Sequence, residues 1–449
     1  MSGPGTSQLP IAERLLQLAE REGATQAEVV LLATDAALTR FANSEIHQNV
    51  VETDLVANLR FVAGRRVGVA SSGRLDAAGL ATLAETAARI ARVQPELDEP
   101  VVLPEPGAIP ALQAGYSEAT ARATPEARAA AVGAAIAAAD AAGVLAFGSF
   151  ATSADRLVVA NSRGVRAEQV TTQARLVTIC MGQDGEAGYG EALAVDVGAI
   201  DPAAVGREAA GRAVRSRAPV PLEPAVYPVV LEPYAVVDLL DMLGMLGFSA
   251  LAAEEGRSFY EPGRRIASEL VSTWDDATDP SGTPSAFDYE GVGKQRVQLI
   301  DRGRCADLVY DTATAARAGR RSTGHGLLAP NTLGPVPANQ FMAPGDASVE
   351  DLLAGVEHGL LVTRFNYTNP VHAKRAIVTG MTRDGTFLVE HGEVVGPVRN
   401  LRFTQSYLEA LGAVEAVGRE RRLLAGELGS CVVPGLRIAS WDFTGATEH

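Results

Sequence analysis

The side chains best suited to acid–base or metal chemistry are few and widely spaced in this sequence. Its six histidines are His47, His325, His358, His372, His391 and His449. None lies between positions 47 and 325, and no His-Glu-x-x-His zinc motif occurs. The sequence also lacks the Gly-x-Ser-x-Gly elbow of serine hydrolases and the Gly-Lys-Ser/Thr loop that binds phosphate. We therefore predict no catalytic residue and no metal ligand in this chain.

Cysteines and paired carboxylates offer no alternative centre. Cys180, Cys305 and Cys431 lie far apart without a Cys-x-x-Cys pair, which argues against a disulfide framework or a zinc ribbon and suits a reducing cytoplasm. For Cys431 a small buried thiol in a strand is favoured over a redox or catalytic role. Asp275 and Asp276 are adjacent in a stretch of turn-forming residues, so we interpret them as solvated loop charges.

Two polar segments carry the side chains that we expect to contact a ligand. His325 stands in the glycine-flanked segment 322–326, where it is predicted to line a groove. Asn366, Asn369 and His372 belong to a second segment, interpreted as a polar loop with hydrogen-bonding groups for a peptide backbone or another ligand. A solvated turn is the alternative interpretation of the second segment.

The composition indicates a folded protein of two domains. The 449 residues are 47% hydrophobic and 21% charged, and this length exceeds what one ordinary core requires. A net charge of −15 without a long basic cluster argues against nucleic acid as a partner. Residues 1–10 have no basic segment followed by an apolar one, and the most apolar stretch, 229–253, contains carboxylates. We therefore expect neither export nor a membrane span.

Residues 1–217 are predicted to form a mixed α/β domain. Apolar periodicity predicts a helix at 10–22, and later helices at 76–93, after Thr124 and from about Asp201 to Ser216. Alternating apolar residues predict strands at 27–34, 36–41, 46–50, 54–62, 67–70, 156–161 and 165–181. The segment 218–224 contains three prolines, so it is predicted to be a stiff connector that ends the domain.

Residues 225–449 are predicted to form a β-rich domain. A strand at 227–231 and a helix at about 233–255 begin it. Beyond the helix, Gly and Pro become frequent and apolar residues alternate at 297–300, 305–310, 375–379 and 387–390. The two halves together predict an α+β fold.

Seven segments resemble, in the same order along the chain, segments of the TldD/PmbA family. They are Arg-Phe-Ala-Asn-Ser-Glu-Ile-His-Gln at 40–48, the strand and helix at 229–247, Phe-Asp-Tyr-Glu-Gly-Val at 287–292, Leu-Ile-Asp-Arg-Gly at 299–303, Arg-Ser-Thr-Gly at 321–324, Leu-Val-Glu-His-Gly-Glu-Val-Val at 388–395 and Pro-Val-Arg-Asn at 397–400. The resemblance covers almost the whole chain. It implies a mixed α/β N-terminal domain and a C-terminal domain of the metalloprotease type.

The same resemblance implies where a zinc site would lie in a catalytic TldD subunit. There the helix after the strand at 227–231 carries His-Glu-x-x-x-His, and a cysteine near the C-terminus completes the coordination. Alignment on residues 229–233 places Asp241, Met242 and Leu246 at the three helical positions and Cys431 near the fourth. Two of the helical residues are apolar, so the resemblance implies a degenerate metalloprotease domain of the non-catalytic TldE/PmbA type.

These features lead to one main hypothesis and two alternatives. The chain is expected to be inactive alone and to pair with a TldD-like subunit that holds zinc, forming a peptidase for unfolded or modified peptides. One alternative is a subunit of a specialised hydrolase in secondary metabolism. The other is a homodimeric module that binds a peptide or another ligand without any zinc subunit.

Overall fold

The chain folds into two antiparallel-rich sheets, each with its own helices, in a computed structural model that describes residues 6–112 and 114–446. The α+β prediction is confirmed. Residues 1–5 and 447–449 lie outside the described part, so the ends of both predicted domains, half of the segment 1–10 and His449 are not described. None of the helices in the described ranges is both long and apolar enough to cross a membrane.

The first sheet has six strands in the order β3-β2-β1-β4-β5-β6, with every neighbouring pair antiparallel. Its strands are β1 (Gln26–Ala42), β2 (Glu45–Ala63), β3 (Arg66–Ser72), β4 (Leu145–Asn161), β5 (Arg166–Met181) and β6 (Ala187–Ala194). The accompanying helices are α1 (Leu9–Arg21), α2 (Ala77–Val93), α3 (Glu118–Ala121), α4 (Pro125–Ala141) and α5 (Pro202–Arg215).

Side-chain caps lie at the predicted starts of two of these helices. The carboxylate of Asp76 accepts a hydrogen bond from Gly79 N at 2.6 Å, and the Thr124 hydroxyl accepts one from Ala127 N at 3.2 Å. Each cap pairs a donor that the first turn of a helix leaves unsatisfied. The helices at 10–22, 76–93, after Thr124 and from about 201 are thus confirmed to within a residue or two.

Strands of the first sheet are longer than predicted. The segments 27–34 and 36–41 are one strand, β1, because Asp35 stays in register with Thr53 and turns its carboxylate outward to the Thr53 hydroxyl at 2.7 Å. The segments 46–50 and 54–62 are likewise one strand, β2. A polar residue at an exposed position does not interrupt a ladder whose other neighbours remain paired.

The second sheet has eleven strands, five of which close into a ring. Its elements are β7 (Val226–Leu231), α6 (Pro233–Gly247), α7 (Ala250–Glu254), β8 (Thr273–Asp275), β9 (Val297–Asp301), β10 (Arg304–Cys305), α8 (Thr312–Arg317), β11 (Asn339–Met342), α9 (Val349–Ala354), β12 (His358–His372), β13 (Ile377–Glu390), β14 (Glu393–Pro397), β15 (Leu401–Ser406), α10 (Tyr407–Gly412), β16 (Val414–Ala425) and β17 (Ser430–Ala446). Because β7 pairs with both β12 and β17, the path β7-β12-β13-β15-β17 returns to its start.

The helix predicted at 233–255 is in fact two helices. It ends at Gly247, and Ser249 caps the short α7. A side chain at position 247 would lie 1.9 Å from the ring of Phe259, so this turn of the helix packs directly against an aromatic residue. The predicted strand at 305–310 is also wrong beyond Cys305, since only Arg304–Cys305 joins the ladder.

Candidate functional site

Helix α6 is the element on which the resemblance places a zinc site. It follows β7 directly, and ten of its fifteen residues are buried. Glu232, at its N-cap position, pairs with Arg212 of α5 at 2.8 Å and so ties this helix to the first sheet's helices. Asp238 and Asp241 are the two charged residues of the helix, and their spacing of three places them on the same face.

Asp241 is held by the turn between β16 and β17. Its Oδ2 accepts a hydrogen bond from Glu427 N at 2.7 Å, while its Oδ1 lies 3.4 Å from Gln340 Nε2 and 3.7 Å from Cys431 Sγ. Burial raises the pKa of Asp241 to about 6, against the lowering effect of the Glu427 amide. The carboxylate therefore anchors the turn at residues 426–429 to α6.

Cys431 is a residue of β17, and its sulfur lies near the Asp241 carboxylate. In the sheet it pairs with Leu424 of β16 on one side and with Gln340 of β11 on the other. The residue is 1% exposed. Burial, reinforced by the negative charge of Asp241, raises the pKa of the Cys431 thiol well above its ordinary value. The sulfur is thus a protonated thiol near neutral pH, which is a poor nucleophile. This matches the favoured interpretation of Cys431 as a small buried thiol.

Asp238, one turn earlier on α6, is engaged by two hydroxyl groups. Tyr407 donates to Oδ1 at 2.5 Å, and Thr368 of β12 donates to Oδ2 at 2.6 Å. Burial raises the pKa of Asp238 to about 6. Because both oxygens are already hydrogen-bonded to the protein, this carboxylate fixes β12 and α10 against the helix.

The side chains at this place do not fit a zinc ion. Met242 is buried in the core, and Leu246 packs against the same core. Neither side chain contains a nitrogen or oxygen donor. Over residues 6–112 and 114–446, no three side chains of His, Cys, Asp or Glu converge as metal ligands. Zinc in proteins requires three or four such donors. The Asp241–Cys431 pair falls short of that number.

His325 is buried and engaged at both ring nitrogens. Its Nε2 lies 2.8 Å from Asp275 Oδ1, and its Nδ1 lies 2.9 Å from the Thr323 hydroxyl. Burial lowers the pKa of His325, so the ring is neutral at neutral pH, with Nε2 donating to the carboxylate. Thr323 then donates to Nδ1.

Asp275 is a fully buried residue of β8, which overturns its interpretation as a solvated loop charge. Besides His325, its carboxylate accepts from Ala338 N and Asn339 N, both at 2.7 Å. Burial alone would raise the pKa of Asp275, but its interaction with His325, the charge of Lys294 and the hydrogen bond from Asn339 N outweigh that cost and hold the pKa below its ordinary value. The burial of Asp275 was not predicted because its partner, His325, lies fifty residues away along the chain.

A cleft of about 470 Å³ lies between the two sheets and is bordered by His325. Its first wall is the face of β1, β4 and β5 that carries Thr34, Asp155 and Gln169. The opposite wall comes from the second half of the chain and includes Lys294. The turn at 426–429 contributes Leu428 and Gly429 to the lining, and the same turn is bonded to Asp241 through Glu427 N.

The remaining predicted contact residues lie elsewhere. Asn366, Asn369 and His372 belong to the distal end of β12, where pairing with β13 is irregular, and not to a free loop. The polar loop predicted there is therefore wrong, because bulges keep this segment in the ladder. Asn369 and His372 are exposed, and Asn366 is half-buried. These three residues share a strand end, whereas His325 lies at the cleft.

Comparisons with known proteins bear on the whole chain. Three family models match in order: PmbA/TldA metallopeptidase domain 1 at residues 27–91, the central domain at 116–217 and the C-terminal domain at 224–445. A metalloprotease TldD homolog of Buchnera aphidicola is 27% identical over 179 residues, which are 39% of this chain and 36% of the relative. A metalloprotease of Methanothermobacter thermautotrophicus is 28% identical over 171 residues, 37% of each chain. The match thus spans about a third of the length of these curated relatives.

Solved structures share the fold over nearly the full length. TldE from Thermococcus kodakarensis superposes with a TM-score of 0.88 at 20% identity, covering 97% of this chain and all of that one. A putative modulator of a DNA gyrase from Thermotoga maritima gives 0.85 at 19% identity, covering 98% of this chain and all of that one. At such identities the likeness is one of fold. Because the three family models together span well over half of the sequence, the chain belongs to the PmbA/TldA metallopeptidase family.

Proposed function

We propose that this chain is the non-catalytic, TldE/PmbA-like subunit of a two-subunit metallopeptidase. In this proposal a TldD-like subunit holds the zinc ion and the attacking water, and this chain holds none. The pair is a cytoplasmic enzyme that cleaves unfolded or modified peptides. The two domains of this chain, at 1–217 and 225–449, then have separate tasks, with the second derived from a catalytic domain that lost its ligands.

The environment of Asp241 is the observation that carries this proposal. The residue stands where the resemblance places the first zinc-binding histidine, and its carboxylate is occupied by a backbone amide of the turn at 426–429. Met242 and Leu246 contribute no donor beside it. Converting such a place into a zinc site would require new ligands and also the release of that turn.

Peptide binding in this proposal uses the cleft between the two sheets together with the exposed end of β12. The cleft is lined by polar side chains from both halves of the chain, such as Gln173 and Lys294. Asn369 and His372 present free surface at the strand end. Contacts of a peptide with His325, Asn366, Asn369 and His372 stay a prediction, and His325 would act mainly by supporting the cleft wall.

A reconstitution assay tests the proposal. Hydrolysis of an unfolded fluorogenic peptide is measured with this chain alone, with a TldD-like subunit from the same genome alone, and with a mixture of the two. We expect no turnover by this chain alone and the fastest turnover by the mixture, sensitive to a zinc chelator. Equal rates for this chain alone and for the mixture would refute the proposal.

A further inference from the structure

Strand β2 has an outer edge that lacks a neighbour over half of its length. The strand comprises 19 residues, but β3 pairs only with residues 57–63. On the other side β1 pairs with β2 almost throughout, so residues 45–54 are held in an extended strand. In the described part of the chain no strand pairs with the outer side of this segment, which we call the open edge. Such an edge presents unpaired N–H and C=O groups to solvent.

The open edge is also exposed through its side chains. Nine of its ten residues are exposed, and the tenth, Val50, is half-buried. Ile46 and Val51 are apolar yet 42% and 65% exposed. The segment contains no proline or lysine, two residues that natural proteins place on edges to prevent pairing. At the end of the open edge nearest β3, the amide of Leu55 already has a partner, because it donates a hydrogen bond to Asp54 Oδ1 at 2.8 Å.

A rigid hairpin supports the open edge from behind. Asn43 and Ser44, between β1 and β2, both have positive φ angles, as a two-residue hairpin turn requires. On the far side of β1, β4 pairs in continuous register from Asn161 to Gly148. A strand added at the open edge would therefore extend an ordered sheet and would lose little entropy in the receiving protein.

Three carboxylates along the open edge determine which charge a strand added there should carry. Glu45, Glu52 and Asp54 lie along the open edge, and none has an ion-pair partner within 4 Å among the described residues. The only basic candidate in the segment is His47. Opposite charges facing each other across an antiparallel pair are favourable, and like charges are unfavourable. The complementary strand therefore carries lysine or arginine.

We propose that the open edge is where the TldD-like subunit docks, by adding its own N-terminal hairpin strand antiparallel to residues 45–54. The inference rests on the proposed function, because it names the surface used for that pairing. Residues 27–91 match a family model for domain 1, so a partner from the same family has a corresponding hairpin to offer. Two related hairpins pairing edge to edge form the near-symmetric contact that dimers commonly use.

A second copy of this chain fits the open edge less well. Antiparallel pairing of residues 45–54 with themselves, in the register that aligns their full length, places Glu45 of one copy opposite Asp54 of the other. This like-charge contact occurs at both ends of the paired segment. It would also bring together two chains that each carry a net charge of −15. The charge pattern thus selects a different, basic partner strand.

Charge reversal tests the proposal with a matched control. The edge variant carries Glu45→Lys, Glu52→Lys and Asp54→Lys. The control carries Asp346→Lys, Glu350→Lys and Glu393→Lys, three exposed carboxylates of the second half of the chain. Dissociation constants for the TldD-like subunit are measured by titration calorimetry. We expect the edge variant to bind at least about tenfold more weakly, a change of ~1.4 kcal/mol, and the control to bind within about twofold of the parent.

Hydrogen exchange supplies a second measurement that does not depend on variants. We expect amides of residues 45–54 to exchange more slowly when the TldD-like subunit is added to the parent chain. If the subunits associate but the edge variant binds like the control and these amides stay unprotected, the inference fails while the proposed function stands. If they do not associate at all, both fail. Concentration-dependent protection of these amides in the chain alone would assign the edge to a second copy and overturn the choice of partner.

Discussion

The carboxylates of helix α6 and those along the outer edge of β2 differ in whether the chain itself supplies their partners. On α6 the carboxylates of Asp238 and Asp241 are consumed by hydroxyl and amide donors of the same chain. Along the edge, Glu45 and Glu52 are exposed, and within residues 6–112 and 114–446 they form no ion pair and no strand pairs with the outer side of the backbone beside them. The interior polar groups are thus committed to folding, and the edge groups remain available to another molecule.

This difference separates side chains that stabilise the fold from side chains that are exposed to another molecule. A catalytic metal site keeps ligands with an open coordination position, which is costly to the fold unless metal is bound. In this chain the Asp241 carboxylate instead accepts a hydrogen bond from Glu427 N and anchors the turn at 426–429. Recognition groups on the surface carry no such cost. Mutations in the two regions should therefore differ in whether they change stability or association.

The largest effect on stability is expected at the Asp275–His325 pair. Asp275→Ala leaves the imidazole N–H and two backbone amides without an acceptor in a fully buried place, so the free energy of unfolding should fall by about 3 kcal/mol or more, at about 1–3 kcal/mol for each unsatisfied donor. Chemical denaturation measures it. Asp346→Ala, at an exposed position, is the control and should change little. A loss below 1 kcal/mol for Asp275→Ala would contradict the assignment of this pair as an interior anchor.

A smaller loss is expected when Asp241 no longer anchors the turn. Asp241→Ala leaves the Glu427 amide unpaired, which should cost about 1–3 kcal/mol in unfolding free energy. Hydrogen exchange at residues 426–429 should become faster than in the parent chain, while exchange at residues 45–54 should not change. Unchanged exchange in the turn would show that the carboxylate does not hold it.

Asp241 should also make stability depend on pH. Burial raises its pKa to about 6 in the folded chain, against an ordinary value near 3.8. The folded state therefore binds more protons than the unfolded state between these values, so this residue's contribution is full below pH 4 and is lost as pH rises through 6. Asp241→Asn should remove that loss, giving a variant whose stability relative to the parent increases from pH 4 to pH 7. A pH-independent difference would contradict the raised pKa.

The smallest effect on stability is expected at the open edge. Glu52→Lys alone should change the unfolding free energy by no more than about 0.5 kcal/mol, because the side chain is exposed and unpaired. Thermal unfolding checks this. The same variant should nevertheless weaken association with a TldD-like subunit. A large loss of stability instead would mean that Glu52 belongs to the fold, which would remove the contrast with Asp241.

Local patterns predicted the helices with clear caps and the division into a mixed first half and a β-rich second half. They failed where distant residues decide. The ring of Phe259 lies where a side chain at position 247 would be, and His325 holds Asp275 in the interior despite the turn-forming residues around it. The open edge was missed because 46–50 and 54–62 were predicted as two separate strands, whereas they form one strand that β3 pairs with only at residues 57–63.

At α6, the sequence gives the residue types but not their partners. Met242 and Leu246 have no nitrogen or oxygen donor in their side chains, whatever their exact position. What the sequence lacked was the partner of Asp241, since a backbone amide nearly two hundred residues away has no signature of its own. The resemblance to a family drew attention to Asp241 on α6. The hydrogen bond from Glu427 N then shows that this residue anchors the turn at 426–429.

Zinc content is the most direct test of the central claim that this chain depends on another subunit for its metal. The purified chain and a TldD-like subunit are each equilibrated with zinc, freed of excess ion and examined by elemental analysis, separately and as a mixture. We predict far less than one zinc per molecule of this chain and one per pair in the mixture. One tightly held zinc per isolated chain, lost on Cys431→Ser, would contradict the account.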